Sequence, residues 1–278
     1  MYQAANQEKQ EIMLPKVDFH IHTIYSGHSY PDMNVGNIIR KAEELKFLKI
    51  VILEHIPPIV KNEDGSYTIG DCSREPLDMI KRDLEGIKTN IEVYLGTEVD
   101  IDRYKLDGSL LFEDLEGIDF IMASMHCYPG TDIFWFTDYQ LTNYQKEKLY
   151  ITWFECMKKV VRNPLVNIWA HPAALIARQN IFNSFSGRIM KDFEELLNIM
   201  KENNVAFELN ENMPLRLSLE QSDTYFKLVR LAKEKEVKIS LGSDAHYLDG
   251  IGRQNWCGKV AKQAQLKRND FSILEKGE

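Results

Sequence analysis

The sequence predicts an α/β protein whose parallel strands close, or nearly close, into a barrel. Short apolar runs alternate along the chain with amphipathic stretches of helical length. The apolar runs are rich in Val and Ile and nearly continuous in character, which is typical of strands buried on both faces. With 278 residues, 44% of them hydrophobic, the chain matches a single α/β barrel of roughly 250 residues. An open, doubly wound sheet is the alternative.

Seven runs are predicted strands: residues 17–20, 49–55, 91–99, 118–126, 165–171, 205–210 and 237–244. Six stretches are predicted helices: residues 34–47, 75–87, 139–161, 192–203, 218–235 and 256–266. Residues 100–114 depart from this alternation, and the Asp107-Gly108 pair within them predicts a small hairpin. The order of the elements favours parallel strands covered by helices.

We expect one barrel domain over residues 16–278, preceded by a loose polar leader over residues 1–15. No repeat, low-complexity tract or linker divides the chain. The leader lacks the apolar run of a signal peptide, and no segment approaches the roughly 18 apolar residues of a membrane span. The interpretation is a cytoplasmic protein whose four scattered cysteines are reduced thiols.

The charge balance argues against a surface that coats nucleic acid. The chain has 34 basic and 42 acidic residues, a net charge of −8, whereas nucleic-acid binding needs a basic face. A local basic pocket for a small anion remains compatible with this composition. Neither a membrane nor a polynucleotide is therefore an expected partner.

Every histidine of the chain lies at or just beyond the carboxyl end of a predicted strand. These residues are His20, His22, His28, His55, His126, His171 and His246, and two carboxylates, Glu98 and Asp244, occupy similar positions. Carboxyl ends of parallel strands meet on one face of a barrel. Imidazole and carboxylate ligands together suit Zn, Fe or Mn. One such histidine alone is more often a structural residue, but the full set predicts a metal cluster.

The same residues fall in short motifs that resemble the PHP (polymerase and histidinol phosphatase) superfamily. The motifs are Asp18-Phe19-His20-Ile21-His22-Thr23, Ser26-Gly27-His28, Glu54-His55, Gly96-Thr97-Glu98, Ser124-Met125-His126, Ala170-His171-Pro172 and Gly242-Ser243-Asp244-Ala245-His246. The resemblance implies a distorted (β/α)7 barrel, similar to a TIM barrel. One departure is Glu54, where Asp is common in the family.

The resemblance also implies up to three divalent metal ions, with Zn, Mn or Fe as candidates. One ion would be held by His20, His22, Glu98 and Asp244, a second by Glu98, His126 and His171, and a third by His28, His55 and His246. No polymerase segment is present, and the sequence around His28 resembles the histidinol-phosphatase branch. The implied function is hydrolysis of a small phosphomonoester by a metal-bound hydroxide, with histidinol phosphate as the first compound to test.

Roles beyond metal binding are less sharply indicated by the sequence. Asp244 or His246 are candidates for proton transfer, although both are also predicted ligands. A guanidinium matches phosphate oxygens, and Arg178 is the first choice, with Arg216 and Arg253 as alternatives. Trp135 and Phe136 either line a substrate pocket or pack in the core.

Three other functions stay open at this point. An amidohydrolase also begins with His-x-His on a barrel strand, but it lacks partners for His28 and His55 and usually ends in Asp without a following His. A nuclease or phosphodiesterase would use similar metals and would need a basic groove. A non-catalytic metal-binding module would tolerate the loss of some ligands, whereas all nine positions here hold a competent one.

Overall fold

A computed structural model describes residues 14–136 and 140–272. Its ten strands are β1 (Val17–His22), β2 (Lys49–Leu53), β3 (His55–Ile56), β4 (Ile59–Lys61), β5 (Tyr67–Ile69), β6 (Glu92–Asp100), β7 (Phe120–Ser124), β8 (Ile168–Trp169), β9 (Ala206–Asn210) and β10 (Ile239–Gly242). Its seven α-helices are α1 (Val35–Glu44), α2 (Glu75–Leu84), α3 (Asn143–Val160), α4 (Ala174–Arg178), α5 (Gly187–Glu202), α6 (Leu219–Glu234) and α7 (Asn255–Ala264).

The main sheet is parallel and nearly closes into a barrel. Its strands follow the order β1-β2-β6-β7-β8-β9-β10, and β3 continues the line of β2 by pairing with β6. The two ends of this order meet where Ile21 bridges Ala245. There the His22 amide donates to the Ala245 carbonyl at 3.0 Å, and the Asp244 amide donates to the His20 carbonyl at 2.8 Å. The barrel prediction is thus confirmed over the open sheet.

The continuous apolar runs that predict the strands also account for the burial of those strands in the core. Every residue of β1, β7, β9 and β10 is buried, as expected for strands with side chains inside the barrel on one face and helices on the other. Helices α3 and α6 begin with capping boxes, at Thr142 with Gln145 and at Ser218 with Gln221, which satisfy free amides of the first turn. None of the described helices is long and apolar enough to cross a membrane.

Several boundaries differ from the sequence prediction. The predicted strand 49–55 breaks at Glu54, whose carboxylate accepts from the Thr23 hydroxyl at 2.6 Å and lies 3.5 Å from His22 Nδ1. Helix α5 starts at Gly187, before the predicted residue 192, and α4 was not predicted. The expected hairpin near Asp107 is an antiparallel loop closed by an Ile101–Leu110 bridge. Residues 1–13 of the proposed leader and residue 139 of the predicted third helix lie outside the described residues.

A small antiparallel hairpin, β4 with β5, was missed entirely. Ile59 pairs with Ile69 and Lys61 with Tyr67. The hairpin lies between β3 and α2 in the chain and projects beyond the carboxyl ends of the barrel strands, where it borders the site described next.

Candidate metal centre

The nine predicted ligands come together at the carboxyl ends of the barrel strands. Residues of β1, β3 and β6 provide His20, His22, His55 and Glu98, and the segments that follow β1, β7, β8 and β10 provide His28, His126, His171, Asp244 and His246. His171 and Asp244 have positive φ angles of 29° and 54°, which are uncommon for residues other than glycine. Both mark sharp turns immediately after a strand, where the chain reverses to present a side chain inward.

Glu98 lies at the middle of the cluster and turns its two carboxylate oxygens in different directions. Its Oε1 is 2.7 Å from His171 Nε2 and 3.4 Å from His126 Nε2. Its Oε2 is 3.2 Å from His20 Nε2 and 3.0 Å from His55 Nδ1. A carboxylate arranged in this way could offer one oxygen to each of two neighbouring ions.

His20 and His22 form one side of the cluster, because alternate residues of β1 point to the same face. Their Nε2 atoms are 3.0 Å apart, and each is 3.6 Å from Asp244 Oδ1. We call His20, His22, Glu98, His126, His171 and Asp244 the glutamate group. Ligand atoms of His20, His22 and Glu98, and of His55, Glu98 and His126, each lie within 4.8 Å of one another, close enough to hold an ion.

His28, His55 and His246 form the other side, which we call the histidine triad. The rings of His28 and His246 have centroids 4.5 Å apart, and those of His28 and His55 are 5.4 Å apart. The structure also brings His22 close to the triad, since ligand atoms of His22, His55 and His246 lie within 4.8 Å of one another. The two groups therefore share a border at His22 and His55.

Hydrogen bonds behind the imidazoles fix which ring nitrogen is free to bind a metal. His20 Nδ1 is 2.7 Å from Glu208 Oε1, and His126 Nδ1 is 3.0 Å from Asp100 Oδ1. In the triad, His28 Nδ1 donates to the carbonyls of Ser26 and Ile59, and His246 Nδ1 donates to the carbonyl of Asp244. A proton on Nδ1 leaves Nε2 as the ligand atom in each case.

Glu208 and Asp100 are functional residues that the sequence analysis missed. Glu208 is a fully buried carboxylate in the middle of β9, and a charged side chain inside an apolar strand requires a partner. Asp100 lies two residues after Glu98 on β6, so both point to the same face. These two signals were present in the sequence, but neither reveals which histidine is the partner.

The space around Glu208 depends on the glycine at the end of β10. A Cβ atom at Gly242 would lie 2.2 Å from Glu208 Oε1 and 2.7 Å from the Cβ of His20. Real contacts of this length do not occur, so any larger residue would push the carboxylate away from His20. Gly242 therefore maintains the Glu208–His20 hydrogen bond.

Local charge raises the pKa values of His20 and His126, whereas the pKa values of the triad histidines are lowered. In the glutamate group His171 is an exception, because burial and the charge of Arg216 lower its pKa. Burial alone lowers the pKa of His20, but nearby carboxylates, Glu208 foremost, raise it well above the ordinary value. Burial also opposes the change at His126, where Asp100 and then Glu98 raise the pKa to about 10. In the triad, burial lowers the pKa of all three histidines, and the neighbouring His22 lowers each further.

The residues present fit a cluster of divalent metal ions. The candidate ligands are imidazoles, which bind a metal in their neutral form, and two carboxylates. This combination suits Zn, Mn or Fe. The Nε2 atom of His246 is buried without a hydrogen-bond partner among the described residues, as expected of an atom reserved for a ligand. The pKa of Glu98 is held well below its ordinary value, since His55 and His20 outweigh the effect of burial, so this residue is a carboxylate.

A cavity of about 260 Å³ opens onto these ligands. Its base is formed by Glu98, Asp244 and five of the histidines, which are His28, His55, His126, His171 and His246. One wall is formed by Ile59, Tyr67, Phe134, Trp135 and Phe136, and the other by Asn212, Leu215 and Arg216. Trp135 and Phe136 thus line the cavity, and Trp135 is fully buried as well, so both roles considered from the sequence apply.

Arg216, rather than Arg178, is the arginine that reaches the cavity. It donates from Nη2 to Asp244 Oδ2 at 2.6 Å and from Nη1 to Asn210 Oδ1 at 3.3 Å, and its guanidinium lies 5.0 Å from the centroid of the Trp135 ring. Arg178 ends the short helix α4 with an exposed side chain and does not line the cavity. Arg253 is also exposed and donates to the Asp249 carbonyl. The direction of α4 was not apparent from the sequence.

The fold and the ligand set together define a metal-dependent hydrolase built on a β/α barrel. The PHP domain family matches residues 18–212, which is more than half of the chain. The protein therefore belongs to the PHP domain family.

Relatives and solved structures agree with this assignment. A probable phosphatase of Caldicellulosiruptor bescii is 25% identical over 243 residues, covering 87% of this chain and 84% of the relative. A probable histidinol-phosphatase of Clostridium acetobutylicum is 24% identical over 246 residues, covering 84% and 88%. The histidinol phosphate phosphatase of Lactococcus lactis, solved with zinc, L-histidinol and phosphate, superposes with a TM-score of 0.65 at 20% identity, covering 94% and 95%. At that identity the structural match supports the fold.

Family membership and the chemistry of the site make the protein a metal-dependent phosphoesterase. The resemblance drawn from the sequence motifs and the barrel expected from it are both confirmed.

Proposed function

We propose that the protein hydrolyses a small phosphomonoester, with up to three divalent ions held by the glutamate group and the histidine triad. The observation that carries the proposal is the cavity, in which seven of the nine predicted ligands lie beside one arginine. The named activities of the relatives support it, and they make histidinol phosphate the first substrate to test. Zinc is the first metal to test, and Mn and Fe suit the same ligands.

Bound divalent ions supply positive charge for the phosphoryl oxygens and an activated water molecule. The chain's own residues then orient the ester. Arg216 is held in place by Asp244 and Asn210, and its guanidinium can contact the phosphate oxygens. Since Asp244 Oδ2 is already paired with Arg216, the Oδ1 atom that faces His20 and His22 is its ligand atom.

A proton must also reach the leaving alcohol, and the sequence analysis named Asp244 and His246 for this role. Asp244 is the less suitable of the two, because its pKa is held well below the ordinary value by His20 and Arg216 against the effect of burial. His246 lies at the cavity edge and is partly accessible. We therefore assign proton transfer to His246 in the form of the protein with two ions bound, in which its Nε2 atom carries no metal.

The test is phosphate release from a panel of small monoesters, measured beside cleavage of single-stranded DNA and RNA at matched protein and metal. We expect turnover of monoesters that His20→Ala abolishes. Faster cleavage of polynucleotides, also abolished by His20→Ala, would replace the proposal with a nuclease function. An absence of turnover on every phosphoester would favour the amidohydrolase or the non-catalytic module.

A matched pair of arginine variants tests the phosphate contact within the same assay. Arg216→Lys keeps the positive charge beside Asp244 but removes the planar guanidinium, which can donate two parallel hydrogen bonds. We therefore expect inorganic phosphate to inhibit this variant about 10-fold more weakly than the wild type. Arg178→Lys, at the exposed end of α4, should match the wild type. Equal inhibition of both variants would show that the phosphate lies elsewhere.

A further inference from the structure

The β4–β5 hairpin forms part of the cavity wall but has little support of its own. Ile59 and Tyr67 line the cavity, whereas residues 61–66, which contain the turn, are mostly exposed. The two strands form a separate sheet, in which Ile59 pairs with Ile69. A hairpin of two strands is marginally stable in water. Its position over the cavity therefore depends on the residues that it contacts outside the hairpin.

A predicted metal ligand holds the hairpin in place. The Ile59 carbonyl accepts from His28 Nδ1 at 3.0 Å, and the same N–H also faces the Ser26 carbonyl at 3.0 Å. The other hydrogen bonds that the hairpin main chain forms with described residues stay within residues 58–70. The bond from His28 is thus the directional contact between the hairpin and the barrel.

The ring of Tyr67 adds apolar support to this bond. It meets the His28 ring edge to face, with centroids 6.4 Å apart, and it stacks on the Phe134 ring at 5.5 Å. Ring packing of this kind is much less directional than a hydrogen bond. It therefore permits small shifts of the hairpin that the bond to the Ile59 carbonyl opposes.

An ion at the histidine triad would fix His28 at its other nitrogen. Nδ1 carries the proton, because both atoms that it faces are carbonyl oxygens, so Nε2 is the ligand atom. A ring that is bound through Nε2 and hydrogen-bonded through Nδ1 is held at both ends, and each interaction orients the other. Without an ion the His28 side chain, which is only partly buried, is free to turn and release the Ile59 carbonyl.

Building on the three-ion site of the proposed function, we infer that the triad ion controls the order of the β4–β5 hairpin and, through it, the wall of the substrate cavity. The ion fixes His28, His28 holds the Ile59 carbonyl, and Ile59 with Tyr67 shapes the wall. Such a coupling is reciprocal, so an ordered hairpin also strengthens the binding of the triad ion. Occupancy of the triad by metal thereby regulates how completely the cavity is formed.

Hydrogen exchange of residues 58–70, measured by mass spectrometry on the zinc-reconstituted protein, tests this coupling. His246→Ala removes a triad ligand that lies outside the hairpin. We expect the hairpin amides of this variant to exchange about 5-fold faster than those of the wild type, the effect of losing one hydrogen bond. His171→Ala, which removes a ligand of the glutamate group, should leave this exchange unchanged.

Helix α5 serves as the internal reference for general stability, and elemental analysis confirms which variant has lost an ion. Equal acceleration of hairpin exchange in His246→Ala and His171→Ala, relative to α5, overturns the inference. So does an unchanged hairpin in His246→Ala once one ion is shown to be lost.

A substitution of His28 itself tests the route of the coupling. In His28→Asn the side-chain amide nitrogen lies near the position of Nδ1, so a donor to the Ile59 carbonyl remains, but the Nε2 ligand is removed. Hairpin exchange in this variant should no longer respond to added zinc. A response as large as that of the wild type would show that the coupling bypasses His28, which overturns the inference.

The reciprocal effect is measured from the side of the hairpin. Tyr67→Ala removes the packing on Phe134 and should weaken the third zinc ion about 5-fold in competition with a chelator, without affecting the first two. Val60→Thr changes a residue of the same hairpin that is 41% exposed, and its zinc affinities should match the wild type. Equal weakening of the third ion in both variants contradicts a specific link through Tyr67.

These measurements need no substrate, so the inference and the proposed function can fail separately. A protein that binds three ions, shows the coupling and hydrolyses no phosphoester overturns the proposed function and supports the inference. A protein that hydrolyses small monoesters while hairpin exchange ignores the triad ion supports the proposed function and overturns the inference. Binding of only two ions by the reconstituted wild type also overturns the inference, and phosphate release then tests hydrolysis on its own.

Discussion

The two sides of the metal centre use the same ligand, imidazole, but support it differently. In the glutamate group, His20 and His126 are backed by the carboxylates of Glu208 and Asp100. In the histidine triad, His28 and His246 are backed by main-chain carbonyls. A carboxylate partner makes an imidazole more basic and a stronger metal ligand than a neutral carbonyl does.

The carboxylates behind His20 and His126 also have an effect that opposes metal binding. The carboxylates that strengthen His20 and His126 as metal ligands also raise their pKa values, so these residues hold protons when no metal is bound. We expect the triad to bind a metal less strongly, although its lowered pKa values leave its imidazoles neutral. We therefore expect two tightly held ions in the glutamate group and one more exchangeable ion at the triad.

The largest expected effect on metal content and activity comes from changing Glu98, the residue that joins the two halves of the glutamate group. Glu98→Gln keeps the size of the side chain but removes the charge shared between His171 and His20. We expect loss of two ions per chain and a decrease in kcat of at least about 100-fold. His28→Ala, which removes a triad ligand that is not in contact with Glu98, should lose one ion.

Elemental analysis after reconstitution and dialysis, together with phosphate release, measures this contrast. His28→Ala is a better comparison than His55→Ala, because His55 Nδ1 lies 3.0 Å from Glu98 Oε2 and its removal disturbs both groups. Equal metal loss from Glu98→Gln and His28→Ala would contradict a bridging role for Glu98.

A smaller effect is expected from the carboxylate behind His20. Glu208→Gln removes the charge next to His20 Nδ1, so metal affinity should fall about 10- to 100-fold. Gly242→Ala should cause a similar loss without changing any polar group, because its Cβ would displace the Glu208 carboxylate. Competition with a chelator of known affinity measures both variants.

Glu211→Gln is the matched control for this comparison. Glu211 follows β9 directly and accepts from the amides of Trp256 and Cys257, so it supports α7 without contacting His20. Metal affinity in this variant should stay at the wild-type level. If Glu211→Gln and Glu208→Gln weaken metal binding equally, Glu208 acts through general stability and not through His20.

The contrast between the two groups also shows what the sequence could and could not reveal. The barrel strands and the convergence of the nine candidate ligands were predictable, because each candidate lies near or just beyond the carboxyl end of an apolar run, and the carboxyl ends of parallel strands meet. The supporting contacts were not, since the Glu208–His20 bond joins residues 188 positions apart. Only the three-dimensional distance identifies that pair.

The missed hairpin and the choice of arginine have local physical reasons. Strands β4 and β5 have three residues each, too short for an alternating pattern to stand out from a loop. The sequence favours Arg178 because this residue follows His171 closely. Ala173 instead begins α4 in a left-handed conformation, and the helix carries Arg178 away to the surface, while Arg216 follows β9 into the cavity.

The last prediction concerns proton release, which should differ between the two groups at pH 8. In the metal-free protein His126, with a pKa of about 10, is protonated at this pH. Metal binding requires neutral imidazole, so loading the glutamate group releases this proton, and its affinity should increase with pH until about 10. The triad, whose pKa values are lowered, is neutral already and should release none. Calorimetric titrations in two buffers of different ionisation enthalpy count the protons released per ion. Asp100→Asn, which removes the main cause of the raised His126 pKa, should release about one proton fewer; identical proton release for every ion bound would show that the two groups do not differ in this way.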